Sequence, residues 1–511
     1  MDLGIDFGTT RTVVACADRG NHPVVSFTDA AGDSIAWIPT VVAERAGSLR
    51  FGFEAMAVAG DPSWTFVRSF KRLLSNPRIR PEDPVAIGSS AVPLGRVVGG
   101  FVEHIRDALR TRSNVRGSLA GAPLLRAAVA VPANAHGAQR LITLDAFRQA
   151  GLEVVAMLNE PSAAGFEYTH RHRDTLSAKR DAVVVYDLGG GTFDSSVVRM
   201  SGRHHEVLAT AGVARLGGDD FDGVLADLVL GRLGIARAAV PERSMADLLD
   251  QCRAAKESLN PSSRKIAIEI DASIAGHSPS EVTLAVGDFY DACAPLVERT
   301  IEAMLPIMTR LDDEESLSEI AGVYVVGGAS ELPVVPRALR QRFGRRVHRS
   351  PYPSAAVAIG LSIAAHAAAG FEIVDRYSRV FGVFRERENG QEITCDPIFT
   401  PETRLPGSGE SLVCTRRYRA AHNLGHFRFF ECGGLEADGR PRGDMAVHSD
   451  VYFPFSDQAR AASNLASMDV ERTDVGPEIV EHYSLDDAGI VSVLIRDVDS
   501  GYEQSYRLGR A

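Results

Sequence analysis

Two short stretches carry residue types that could handle phosphate. Gly4 to Thr12 reads GIDFGTTRT, and Asp187 to Asp194 reads DLGGGTFD. In each, an aliphatic run ends on an aspartate, Asp6 or Asp187, and small residues follow. Turns of this composition aim backbone N–H groups inward, and glycine lets the chain come close to an anion. Gly8, Thr9, Thr10 and Arg11 in the first turn are candidate phosphate-binding residues, as are Gly189, Gly190, Gly191 and Thr192 in the second. Asp6 and Asp187 cannot meet phosphate directly, because like charges repel. They suit Mg2+, a hard cation that keeps several of its waters and can be held through them between two loops. One Asp-Gly-Thr turn alone is more often a plain hairpin. A matched pair, each with its aspartate at a strand end, points to a phosphate clamp.

Such turns must be positioned by strands on either side. Val185 to Val198 reads VYDLGGGTFDSSVV and shares the grammar of the first stretch: strand, Gly/Thr turn, returning strand. The repeat predicts two similar lobes, each with one β-hairpin phosphate loop. Ala127 to Ala133 is a buried strand, and His136 to Gly151 is an amphipathic helix with a glycine stop. The run EVVAMLNEPSAAGFEY gives another strand and a helix with Pro161 near its first turn. The basic run His170 to Asp181 reads as a solvated loop before the second lobe. Gly322 to Gly344 reads as strand, glycine turn and helix, and Ala355 to Ala369 as a buried, alanine-rich helix. This alternation predicts an α/β fold with helices covering sheets. After Gly370 short strand-like runs take over, among them SRVFGVF, HFRFFEC, DVYFPF, IVSVLI and YEQSYRL. They predict an all-β domain, sandwich or small barrel, over 371–511. Asp457 to Gly476 has no clear period and reads as a loop or a poorly ordered insertion.

Totals bound the function classes. A chain of 511 residues implies several domains, since one core rarely grows past about 250–300 residues. The net charge of −11 argues against nucleic-acid binding through a basic surface. Six cysteines are scattered without a C-x-x-C pair, so reduced thiols are expected. Cys395, Cys414 and Cys432 share one region but lack metal-site spacing. The first residues carry no leader pattern, and no apolar run reaches the ~20 residues that span a bilayer. The expectation is a cytoplasmic protein without a membrane partner.

The paired loops resemble the ATPase core of the actin, sugar-kinase and 70-kDa heat-shock superfamily, and the motifs between them single out the heat-shock chaperones. SFKRLL (Ser69 to Leu74) is similar to that family's catalytic-lysine segment, and VPANAHGAQR (Val131 to Arg140) to its proline-switch segment. NEPSAA (Asn159 to Ala164) and DLGGGTFD are near-verbatim family motifs. LGGDDFD (Leu216 to Asp222) and VGGASELP (Val326 to Pro333) complete the ATPase domain, and Tyr483 to Leu508 resembles the end of the substrate-binding β-sandwich. The resemblance is dense over the first 370 residues and sparser after. It implies an actin-like two-lobed ATPase domain over 1–370, with lobes about 1–180 and 181–370. A linker over 371–377 and a β-sandwich over 378–511, with no helical lid, would follow.

The resemblance also implies roles. Lys71 would sit beside the γ-phosphate of ATP and the attacking water, stabilising developing charge. By spacing alone it reads as a surface lysine on an amphipathic helix. Glu160 would orient or deprotonate water; otherwise it is a carboxylate favoured at a helix N-terminus. Asp187 and Thr192 would join the catalytic set, and Asp194 would complete the carboxylates around Mg2+, although a turn-end aspartate explains Asp194 as well. Gly217, Gly218, Lys256, Gly327 and Gly328 would line the nucleotide, with Lys256 at the ribose. Pro132 and Arg140 would report nucleotide state to the other domain; by composition Pro132 only ends a strand and Arg140 only sits on a helix.

Three positions depart from the family pattern. Glu257 stands where a basic residue is usual, Asn260 replaces a serine near the base, and Glu331 replaces an arginine that stacks on adenine. A guanidinium plane can stack on a base and a carboxylate cannot, so ATP and ADP binding is expected to be looser than the family norm. The linker FEIVDRY offers only Ile373 and Val374 for apolar docking. Weak coupling is therefore expected, at about 25 cal/mol per Å2 of buried surface. The reading is a lidless heat-shock-type chaperone: a slow Mg2+-dependent ATPase whose β-domain binds unfolded peptide or a client, with a cochaperone or nucleotide-exchange factor as a further partner. The alternative is a nucleotide-binding scaffold or regulator with a dedicated partner. A filament former fits less well because the β-domain matches the chaperone layout, and no sugar-binding segment supports a sugar kinase.

Overall fold

The computed structural model describes residues 1–172, 180–270, 274, 280–309, 320–366, 370, 372–448 and 451–508. It is a mixed α/β structure in which each glycine-rich stretch is the turn of a hairpin inside its own sheet. Asp2–Phe7 and Arg11–Cys16 pair antiparallel with Phe7 opposite Thr12. Asp2–Phe7 also runs parallel to Leu125–Val131, which runs parallel to Leu152–Asn159. The second sheet repeats the plan. Ala182–Leu188 pairs antiparallel with Phe193–Ser201, with Asp187 opposite Asp194, and runs parallel to Ile320–Val326. His204–Val213 lies beyond Phe193–Ser201, and Val347–Arg349 closes the far edge. These central strands read as continuous aliphatic runs because both faces are covered.

The two sheets share a core. Ala128 and Ala130 of one and Val183 and Val185 of the other meet Ala163, Ala164, Ile359 and Leu361 of two helices. Those helices are Glu160–His172 and Ala356–Ala365. Small residues let backbones touch: a Cβ on Gly360 would lie 1.8 Å from the Ala163 carbonyl oxygen. The alanine-rich helix therefore forms as expected from Ala356, while Ala367 to Ala369 lie outside the described residues. The basic run behaves differently from its reading as a loop. His170, Arg171 and His172 form the last turn of Glu160–His172, where positive charge suits the carbonyl end of the helix dipole. Residues 173–179 lie outside the described ones.

The C-terminal part is all strands apart from short turns. One four-stranded sheet contains Val380–Arg387, Glu392–Phe399, Phe429–Leu435 and Pro441–Val447. The other contains Ser411–Arg419, Glu478–Asp486, Val491–Asp497 and Glu503–Arg507. Phe381, Phe399, Phe429, Phe453, Tyr483 and Ile495 fill the space they share. The run HFRFFEC splits at Arg428, because Leu424–Phe427 leaves to pair with Val451–Pro454. Asp457 to Gly476 is mostly a loop, the first of the two readings, with short helical turns at Asp457–Arg460 and Leu465–Ser467. Ser456 caps a helical turn, Asp457–Arg460, and Arg460 reaches the buried Asp497. All six cysteines are free thiols. No described helix is long and apolar enough to cross a membrane.

Candidate functional site

The two hairpin turns face each other. A Cβ on Gly190 would lie 2.7 Å from Thr10 Oγ1, and one on Gly191 would lie 2.8 Å from Thr9 Oγ1. Glycine is required there because any side chain would drive the turns apart. Between them opens a cleft of about 300 Å3. It is lined by Asp6, Gly8, Thr9, Thr10 and Arg11 from the first stretch and by Asp187, Gly189, Gly190 and Thr192 from the second. Lys71, Glu160, Gly218, Lys256, Gly327 and Gly328 also line it. Gly191, Gly217 and Asp194 stand just behind this wall rather than on it. Gly217 meets the Gly190 backbone, and Asp194 accepts from the Asn134 amide at 3.4 Å. Pro132 and Arg140 lie away from the cleft.

Local structure explains how the charged side chains reach the floor. Leu152–Asn159 runs straight into Glu160–His172, so Glu160 is the first residue of a helix at a strand end. Lys71 sits in the 3-10 turn Phe70–Ser75, entered through Ser69 at a φ of 53°. It is buried, unlike the surface lysine its spacing suggests, and its Nζ donates to Glu160 Oε1 at 2.9 Å. Gly327 takes a φ of 84°, and a Cβ there would lie 2.4 Å from Asp187 Oδ1, so only glycine lets this turn abut the carboxylate.

The electrostatics mark this floor as short of positive charge. Burial, with repulsion from Glu160, pushes Asp6 up to about 7, and the Lys71 ammonium offsets only part of that rise. Burial and Glu160 likewise push Asp194 to about 7, against a hydrogen bond from Thr192. Asp187 is raised well above the carboxylate range by burial and by Glu160, Asp6 and Asp194. Burial works against the charge of Lys71, but Glu160, Asp6 and Asp194 outweigh it and hold its pKa up. Several buried carboxylates thus share one ammonium, an arrangement a divalent cation relieves. Among the described residues no three His, Cys, Asp or Glu side chains converge to ligate one ion directly. The donor set therefore fits an ion held through its own waters, as Mg2+ is.

The other end of the cleft is paired differently. Arg11 crosses from the first hairpin to Glu257, Nη2 to Oε2 at 2.5 Å, with its guanidinium over Trp37. Lys256 is held by Asp222 at 2.6 Å and by the Gly218 carbonyl at 2.7 Å. Asn260 lies outside the cleft, on an adjoining cavity. Asp219, Arg253 and Ser354 line the cleft without a sequence signal that had singled them out. Arg253 bonds Asp219 at 3.0 Å and Asp222 at 3.2 Å, a cluster that only the fold assembles.

Docking of the C-terminal part adds polar contacts to the thin apolar one the sequence suggested, in which Ile373 packs against the shared core. Glu372–Val374 adds a parallel strand beside His204–Val213. The next residue, Asp375, is buried and accepts from Asn159, at 2.8 Å from the side chain and 3.2 Å from the amide. Arg140 donates to Asn159 Oδ1 at 2.5 Å and to the Ala488 carbonyl at 3.3 Å. Glu431 accepts from the Gly137 amide at 2.9 Å and from Tyr377 at 2.5 Å, and Arg379 donates to Asn134 Oδ1 at 3.2 Å. Ala488 and Ile490 pack into the core around the first sheet. Asn159 and Asn134 adjoin Glu160 and Asp194, so the cleft and the C-terminal part share neighbours.

Known proteins of similar sequence identify the family. A sequence model of the Hsp70 protein family matches residues 108–377, just over half of the chain. A chaperone protein HscA homolog of Burkholderia multivorans is 35% identical over 381 residues, covering 72% of this chain and 59% of its own length. A chaperone protein HscA of Klebsiella pneumoniae is 34% identical over 380 residues, covering 71% and 58%. The HscA homolog of Colwellia psychrerythraea is 32% identical over 379 residues, covering 72% and 59%. The chain thus spans less than two thirds of the length of these curated relatives. The chain belongs to the Hsp70 family.

Proposed function

We propose that the chain is a heat-shock-type chaperone: an Mg2+-dependent ATPase whose C-terminal β-domain holds unfolded peptide or a client protein. In this reading 1–370 is an actin-like domain of two lobes, 371–377 is its linker and 378–511 is a β-sandwich. The observation that carries it is the pair of opposed hairpin turns over a buried carboxylate floor with Lys71 on Glu160. Mg2+ would supply positive charge to the β- and γ-phosphates, with Asp6, Asp187 and Asp194 holding its waters. Backbone amides of the turns, with Thr9, Thr10 and Thr192, would donate to phosphate oxygens. Lys71 would neutralise charge that develops on the transferred phosphoryl. Glu160, oriented by Lys71, would position the attacking water and accept its proton. Release of the phosphate would be felt at Asn159 and Asn134, and through them at Asp375 and Arg379.

Hydrolysis of ATP by the full chain with Mg2+ and with a chelator tests the ATPase, and peptide-array binding with and without ATP tests the coupling. Turnover that needs Mg2+ and peptide binding that shifts with ATP are the expected results. Peptide binding indifferent to nucleotide would favour the second reading, a nucleotide-switched scaffold with a dedicated partner. That reading draws on Glu257 and Glu331 at the base end of the cleft.

A further inference from the structure

The helix Val334–Phe343 carries Arg337, Arg340 and Gln341 three and four positions apart, hence on one face. That face, Arg349 at the end of the edge strand Val347–Arg349, and the loop Leu259 to Pro261 line a cavity of about 630 Å3. Its charge runs against the rest of the chain. Six arginines fall within 337–349 and no Asp or Glu occurs from 332 to 371, although the whole chain carries −11. Arg337, Arg340 and Arg349 are exposed, and none of them is in an ion pair among the described residues. Like charges placed together repel, so the cluster costs the fold rather than stabilising it. Two glutamates, Glu257 and Glu331, stand where the cavity adjoins the cleft. Glu257 is neutralised by Arg11, which leaves three guanidinium groups against one remaining carboxylate.

The wall is not only charged. Pro333, Pro336, Pro261 and Leu259 add apolar surface. The Tyr290 ring lies 5.8 Å from the Arg337 guanidinium and fixes its direction. A guanidinium fork matches a carboxylate, and apolar side chains match the proline surface. An acidic peptide carries both. A free phosphate would leave the prolines uncovered, and a continuous phosphate backbone would meet Glu331 and the net negative charge of the chain. We propose that this cavity docks an acidic segment of a partner protein. Carboxylates of the segment bond Arg337, Arg340 and Arg349, and its apolar side chains lie on Pro333, Pro336 and Leu259. None of the three arginines belongs to the phosphate clamp, so the docking surface stands or falls independently of the ATPase.

Fluorescence anisotropy of the full chain with a labelled peptide of about eight residues, alternating glutamate and leucine, tests this at about 150 mM salt. The comparison probes are the same peptide with glutamine in place of glutamate, and an oligouridylate of equal charge. Saturable binding of the acidic peptide, tighter than either comparison probe by about 10-fold or more, is the expected result. Arg340→Glu and Arg349→Glu lie on different elements, and in variants that keep the wild-type Tm each should weaken binding by about 10-fold or more, because a like charge then faces the peptide. Arg19→Glu, at an exposed arginine that does not line the cavity, should leave binding unchanged. Failure of the acidic peptide to bind, either comparison probe binding as tightly, or a loss in Arg19→Glu as large as in the cavity variants would overturn the proposal. So would an affinity that neither Arg340→Glu nor Arg349→Glu moves.

Discussion

Lys71 and Glu160 form an ion pair that is worth having only because of what surrounds it. Breaking one buried pair normally costs about 3–5 kcal/mol, yet here the ammonium also serves Asp6 and Asp194. The surplus of carboxylates gives a prediction about protons. Asp6 and Asp194 stand near 7, so at pH 7 each is part protonated before the cation arrives. A bound cation favours the ionised forms, so Mg2+-nucleotide binding should release protons near pH 7 and release fewer as pH rises past 8. Calorimetry in buffers of different ionisation enthalpy reads this directly; equal proton release at both pH values would contradict it. Glu160→Gln should keep nucleotide affinity within a few fold and slow hydrolysis by about 100-fold or more, the usual worth of a positioned base. Equal single-turnover rates would remove Glu160 from the chemistry.

At the scale of elements, close approach and capping carry the risk. The helix Ala356–Ala365 meets Glu160–His172 at backbone distance through Gly360. Gly360→Ala should lower stability by about 1–3 kcal/mol or more through overpacking, visible as a fall in Tm. The helix Gly137–Gln149 begins with His136, whose Nδ1 accepts from the Gln139 amide. Burial holds His136 down to about 4, against the pull of Glu431. Its folded pKa lies below the unfolded value, so its share of stability is complete above about 6.5 and is lost as pH falls toward 4. Asparagine caps without titrating. The advantage of wild type over His136→Asn in Tm should therefore shrink between pH 7.5 and 5; a constant difference would sink this assignment. Both hairpin turns were legible in the sequence, because glycine and threonine after an aliphatic strand encode the turn locally. Burial of Lys71 was not, since the turn Phe70–Ser75 acquires its environment only when Phe7 and Phe101 pack around Phe70.

Across the whole molecule, the attachment of the β-rich part is what the sequence concealed. Counting apolar residues in FEIVDRY pointed to a weak contact, whereas Asp375 and Glu431 add buried hydrogen bonds and Arg379 a half-buried one. Each reads as an ordinary surface residue alone, and their partners Asn159, Asn134 and Gly137 lie hundreds of positions away. Glu431 shows the consequence. Although burial alone would raise it, His448, Arg379 and Tyr377 hold its pKa far below the usual value. Arg140→Ala would leave Asn159 and the Ala488 carbonyl short of a donor in a buried seam. It should speed proteolytic cutting near the linker and uncouple hydrolysis from the β-part, a coupling of about 1–3 kcal/mol in systems of this kind. Unchanged cutting and unchanged peptide response would show that this seam carries no signal.

The opposed hairpins and the lysine between them function, in this reading, as a phosphate-transfer site. Single-turnover ATP hydrolysis in Mg2+, by wild type and by Lys71→Ala with nucleotide binding verified for both, tests it most directly. A rate lower by about 100-fold or more in the variant is the predicted result; equal rates would contradict it.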